Sequence, residues 1–141
     1  MKKLTSKQIE EGNQLIANFV DLRKLDYGGG ERYKYLGRYS TKLFFHQSFE
    51  WIMPIWMLVC ERSTFTDYLG YKQNDSAIFH NSCYLRITDI SEGYDYVNGC
   101  YEAKDLFFTQ YSTNKYYLNE CIFLVVYDFL KFYKNNSHLI K

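Results

Sequence analysis

The side chains best suited to hold a metal or attack a substrate are His46, His80 and His138 with Cys60, Cys83, Cys100 and Cys121. The cysteines are widely spread and form no CxxC pair, and the seven residues together lack the two close ligand pairs from which a structural zinc site is built. No metal or other cofactor is expected. His46 precedes an apolar helical stretch and reads as a structural or capping group. Cys60 and Cys121 fall on apolar helix faces and read as core.

A sharper enzymatic pattern is Glu102-Ala103-Lys104, preceded by Asp89 or Asp95 in a strand-rich stretch. Carboxylates so placed hold Mg²⁺ in restriction-type nucleases, where the lysine helps activate water. E-x-K is common, however, and a solvated hairpin accounts for it as well. No G-x-S-x-G elbow, Walker A loop or dinucleotide fingerprint is present, and Gly28-Gly29-Gly30 lacks the lysine a phosphate loop needs. The expectation is a protein that is not an enzyme.

The remaining chemistry is that of contact. Arg23, Lys24, Arg32, Tyr33, Lys34, Tyr35, Arg38 and Tyr39 interleave cations with rings over a short segment. Such a segment can lay phosphates on cations and bases on rings, as in a single-strand binder. It can equally meet an acidic protein surface, where arginine and tyrosine are favoured. The second half of the chain opposes a nucleic-acid footprint. From Glu61 to Asp105, eight carboxylates (Glu61, Asp67, Asp75, Asp89, Glu92, Asp95, Glu102, Asp105) face four basic residues (Arg62, Lys72, Arg86, Lys104). The net charge of +1 gives no global pull toward nucleic acid or lipid. One basic segment and one acidic half make the chain self-complementary, which is compatible with a homodimer.

Elements to position these residues are legible in outline. The 141 residues are 47% hydrophobic and 20% aromatic, enough for one domain with its own core. The 15 tyrosines fit either an AT-rich genome or a contact surface. Thr5 and Gln8 form a candidate capping box for a helix ending near Val20, with Ile9, Gly12, Ile16 and Phe19 on one face. A flexible loop is expected over about 22–45, with Tyr33, Tyr35 and Tyr39 in a short strand or an extended excursion. Phe49 to Cys60 then reads as a helix apolar nearly all round, hence buried. Ser48 is its N-cap, Trp51 and Trp56 are its large anchors, and Pro54 is expected to kink it or start it afresh.

Strands follow between Ser76 and Gln110. Cys83, Leu85 and Ile87 alternate with Tyr84 and Arg86, and Asn98-Gly99 marks a tight turn. A long amphipathic helix over about Lys115–Lys134 closes the chain, capped by Ser112, Thr113 or Asn114. The predicted class is α+β, with a three- or four-stranded antiparallel sheet packed on two or three helices. MKK leads into a polar stretch, so no signal peptide is read, and the longest apolar run, Cys121 to Leu130, contains Asp128 and is too short for a bilayer. The thiols are expected to be reduced, in a cytoplasm.

Three stretches carry a family resemblance. GNQLIANF (Gly12 to Phe19), FHQSFEWIMPI (Phe45 to Ile55) and FLKFYKN (Phe129 to Asn135) are similar, in order, to GN-x-LIA-x-F, YH-x-SWDWLMPV and FIKWYN. That pattern belongs to a group of small uncharacterised proteins of Bacteroidetes phages and prophages. After the proline that group continues VVEKIE, whereas this chain reads the apolar IWMLVC. The resemblance brings no catalytic residues. It implies a mobile-element origin, a bacterial cytoplasm, and action by binding a host protein or ribonucleoprotein complex, such as a component of an antiviral defence system. An RNA- or DNA-binding accessory role is the alternative.

Overall fold

The computed structural model describes residues 1–63, 72–79, 81–89, 94–95, 100–101 and 104–136. The class is α+β. Helix α1 (Ser6–Phe19) opens with the expected capping box: Gln8 N–H donates to Thr5 Oγ1 at 3.1 Å, and Thr5 N–H donates to Gln8 Oε1 at 2.8 Å. It closes with Asp21 N–H donating to the Asn18 carbonyl and Leu22 N–H to that of Ala17, a Schellman arrangement. Asp21 takes the left-handed conformation there, φ 54°.

The flexible loop expected over 22–45 is instead largely a paired sheet. Strands β1 (Lys24–Tyr27), β2 (Gly30–Tyr35) and β3 (Arg38–Ser40) form an antiparallel meander. Tyr27 pairs with Gly30 across Gly28-Gly29, and Tyr35 pairs with Arg38 across Leu36-Gly37. All four turn residues have positive φ: 65°, 83°, 54° and 77°. That is the pattern of the two-residue type I′ turn, whose twist matches the strands it joins. The glycines thus close a hairpin rather than loosen a loop.

Helix α2 (Phe49–Ser63) is capped as expected, Trp51 N–H donating to Ser48 Oγ at 3.3 Å. It runs continuously through Pro54 and does not restart there. Pro54 is exposed, as is Glu50 four residues earlier, whose carbonyl loses its helical partner where water can reach it. Ile52, Ile55, Trp56 and Val59 enter the core. The expectation of burial nearly all round is corrected, because Phe49, Met57 and Leu58 are 46%, 65% and 38% exposed.

The second sheet is β4 (Lys72–Phe79), β5 (Ser82–Asp89) and β8 (Lys104–Ser112), antiparallel in that order, with β6 (Tyr94–Asp95) and β7 (Cys100–Tyr101) paired separately. Cys83, Leu85 and Ile87 are fully buried and Arg86 is exposed, so the alternation reads as expected. The buried face packs on α3 (Leu118–Asn136), which also carries α1 and α2. Helix α3 starts later than predicted, after a turn in which Lys115 and Tyr116 N–H groups donate to the Ser112 carbonyl. Its start is held by Glu120, whose Oε1 accepts from Tyr117 N–H at 3.0 Å, rather than by Ser112, Thr113 or Asn114. Gly12 is needed where α1 crosses α3, since a β-carbon there would overlap the Phe123 ring.

Candidate functional site

Register sorts the basic-aromatic segment into two faces, because residues directly opposite one another point to the same side of a sheet. One face carries Lys24, Asp26, Glu31, Tyr33, Tyr35, Arg38 and Ser40; the other carries Leu25, Tyr27, Gly30, Arg32, Lys34 and Tyr39. Tyr35 identifies the first as the inner face. Its ring packs on Phe45 and Trp51, with centroids 5.1 and 4.8 Å away, and its hydroxyl donates to the Trp51 carbonyl at 2.8 Å. Burial pushes its pKa up to about 12. Tyr35 therefore anchors the meander to α2 and is not free to meet a partner. Trp51, with Phe44 and Phe45 around it, is the receiving surface, and Trp56 is 6% exposed in the core.

The outer face has a different chemistry. Tyr27 and Tyr39 stack in parallel, centroids 3.8 Å apart and planes 4° from coplanar, yet remain 51% and 38% exposed. The Lys34 ammonium lies 5.6 Å from the Tyr39 centroid, an attractive cation–ring contact. Leu25 is 47% exposed beside them, and Arg32 is half-buried between the strands that carry the rings. Both carboxylates of the meander, Asp26 and Glu31, lie on the inner face. The outer face thus has two cations, two rings, an aliphatic side chain and no acid.

The structure brings Arg32, Lys34 and Tyr39 together and sends Lys24, Tyr33, Tyr35 and Arg38 to the other side. Lys24 sits over Tyr33, 5.4 Å from its centroid, and Arg23 donates to Asp21 at 3.0 Å on an exposed surface. Leu25 and Tyr27 belong to the outer face and were missed. Their signal was the Gly28-Gly29 turn, which fixes Tyr27 opposite Gly30 and so the parity of every residue beyond it.

Two polar clusters lie elsewhere. Asn13, 5% exposed, accepts from Phe45 N–H at Oδ1, while its Nδ2 donates to the Ile9 carbonyl and lies 3.0 Å from His46 Nδ1. With the Asn13 oxygen committed to Phe45, His46 Nδ1 must accept, so the neutral ring carries its proton on Nε2. Burial lowers the His46 pKa below its ordinary 6.5, against the opposing pull of Glu120. The ring helps line an open cleft of about 550 Å³ with Lys2, Lys3, Ile9 and Asn119, and Asn119 donates to the His46 carbonyl. This is a joint between α1, the segment before α2, and α3, in keeping with a structural His46.

The second cluster is Asp128, the one charge in an otherwise apolar stretch of α3. Its Oδ2 accepts from Thr109 Oγ1 at 2.7 Å and from Tyr111 OH at 2.5 Å, tying β8 to the helix. Burial and the Asp128 carboxylate both raise the Tyr111 pKa, so its phenol stays protonated and unsuited to nucleophilic attack. Burial likewise raises the pKa of Cys83, and lifts that of Cys121 to about 11, leaving thiols rather than thiolates.

Among the described residues no group of three His, Cys, Asp or Glu side chains could hold a metal. Glu102, His80, His138 and Asn98-Gly99 lie outside the described residues, as do the side chains of Asp89, Asp95, Cys100 and Lys104, so the nuclease-like pattern has no geometry to report. Among the described residues no helix is long and apolar enough to cross a membrane. No family model, curated protein or solved structure matches the chain.

Proposed function

We propose that this protein is a non-enzymatic binding module whose outer meander face docks on an acidic surface of a protein partner. The observation that carries the reading is the segregation of charge. Asp26 and Glu31 lie on the opposite face of the meander, so Arg32 and Lys34 act with Tyr27, Tyr39 and Leu25 on a face without carboxylates. Rings with few rotatable bonds, set beside long cations, make contact at low entropic cost. The resemblance to phage and prophage proteins supports a host partner in a bacterial cytoplasm, and an inhibitor of a host defence complex is the specific form proposed.

The test is affinity capture of the tagged protein from host lysate after nuclease treatment. A stoichiometric protein partner that survives nuclease is expected, and Arg32→Glu/Lys34→Glu should lose it while keeping the wild-type circular dichroism.

The second reading is single-stranded nucleic acid, favoured by the exposed Tyr27–Tyr39 stack, whose outer ring faces could take a base. It predicts binding to RNA or DNA that weakens steeply with salt, and capture that disappears with nuclease.

A further inference from the structure

The outward stripe of α2 repeats at helical spacing: Glu50, Pro54, Met57, Leu58 and Glu61, with the half-buried Met53 at its edge. Its middle is apolar and its ends are acidic. Met57 at 65% and Leu58 at 38% exposure are wet on a helix whose other side is core, an arrangement that marks an interaction surface. The flanking glutamates restrict what can cover it. A second α2 laid antiparallel would set Glu50 against Glu61, and one laid parallel would set each glutamate against itself. Either pairing juxtaposes like charges, so helix-to-helix self-pairing is disfavoured.

The complementary surface is on the same chain. The outer meander face has an apolar and aromatic centre, Leu25 with the Tyr27–Tyr39 stack, and carries Arg32 and Lys34 where the stripe carries glutamates. Glu50 and Glu61 are about 16 Å apart along the helix, a span two long basic side chains rooted about 7 Å apart on a strand can reach.

We propose that two copies associate as a two-fold dimer, the meander face of each seated on the α2 stripe of the other. Reciprocal exchange of this contact closes the assembly, because the contact is made twice, each patch meets its complement once and none is left over. The dimer would cover the docking face proposed above and so hold it in reserve. The two readings share the meander and separate at α2.

Sedimentation over a range of concentration and salt tests the proposal. The wild type should move from the 17.0 kDa chain toward twice that mass as concentration rises, and back with added salt. Glu50→Lys/Glu61→Lys and Arg32→Glu/Lys34→Glu should each weaken association by about a hundredfold or more, through like-charge contact. Mixed in equal amounts, the two variants should pair, since each then offers the charge the other lacks. A wild type that stays monomeric, variants that still dimerise, or a mixture that stays monomeric would each overturn the dimer. Capture of a host protein by Glu50→Lys/Glu61→Lys reports on the docking face separately, because that variant leaves the meander intact.

Discussion

The two three-stranded sheets share an antiparallel arrangement and are held by different means. In the second sheet the central strand β5 has a sealed face: Cys83, Leu85 and Ile87 have no exposure, and Phe107, Thr109 and Tyr111 of β8, half-buried to buried, follow the same parity toward α3. In β1-β2-β3 every residue of β1 is exposed, and Tyr35 reaches into the core cluster as a partly buried ring. The second sheet is fixed by burial. The meander is fixed by its turns, a tyrosine stack and one anchoring phenol. Structure maintained with so little burial is the kind that can present side chains to a partner, and it should open before the rest of the molecule does.

Substitutions can break that contrast, and the largest effect belongs to the sealed sheet. Leu85→Ala should cost about 2–5 kcal/mol and lower the single melting transition of the whole chain, read by calorimetry. Gly12→Ala should cost about 1–3 kcal/mol by driving a methyl group against Phe123, again for the whole molecule. Tyr35→Phe removes the bond to the Trp51 carbonyl and should cost about 1 kcal/mol, but locally. Hydrogen exchange should then quicken across β1–β3 while β5 and β8 keep their protection. Equal quickening in both sheets would deny the contrast.

The joint between the regions adds a pH dependence. The folded pKa of His46 lies below its unfolded value, so the unfolded chain takes up the proton first as pH falls. The contribution of neutral His46 is complete above about pH 6.5 and is lost as pH drops through its lower folded pKa. Wild-type melting temperature should fall as pH drops below about 6.5, and His46→Gln should flatten that part of the profile. The smallest expected effect is a gain. Leu36 holds a left-handed conformation that β-carbon sterics resist, so Leu36→Asn should stabilise the second hairpin by about 0.5–1 kcal/mol, read as slower exchange in β2 and β3.

The same contrast explains what was legible in the sequence. Alternation at Cys83, Leu85 and Ile87, the Thr5–Gln8 box and the Ser48 cap are local patterns, and each predicted its element. The meander alternates only over short runs, Lys24 to Tyr27 and Arg32 to Tyr35, and the rings of the two runs fall on opposite faces. Its order lives in Gly28-Gly29 and Leu36-Gly37, which look like loop residues until pairing across two-residue turns is considered. Leu36 in particular hides its turn, since the left-handed conformation favours glycine or asparagine. The contact residues were found as types, but their division into two faces depends on register, which those turns set. Helix α2 was misread for a related reason: composition reports how much apolar surface a helix has, not how much of it the chain itself covers. Asp128 was visible as a charge in an apolar run, but its partners Thr109 and Tyr111 are brought to it only by packing of β8 on α3.

The central claim, that the outer meander face is the docking surface, is tested most directly by reversing the same number of charges on each face. Capture from nuclease-treated host lysate would be compared between Arg32→Glu/Lys34→Glu on the outer face and Lys24→Glu/Arg38→Glu on the inner one. The account predicts that the outer pair abolishes capture and the inner pair leaves most of it. Equal loss from both would mean that net charge alone recruits the partner, and would contradict the assignment of a face.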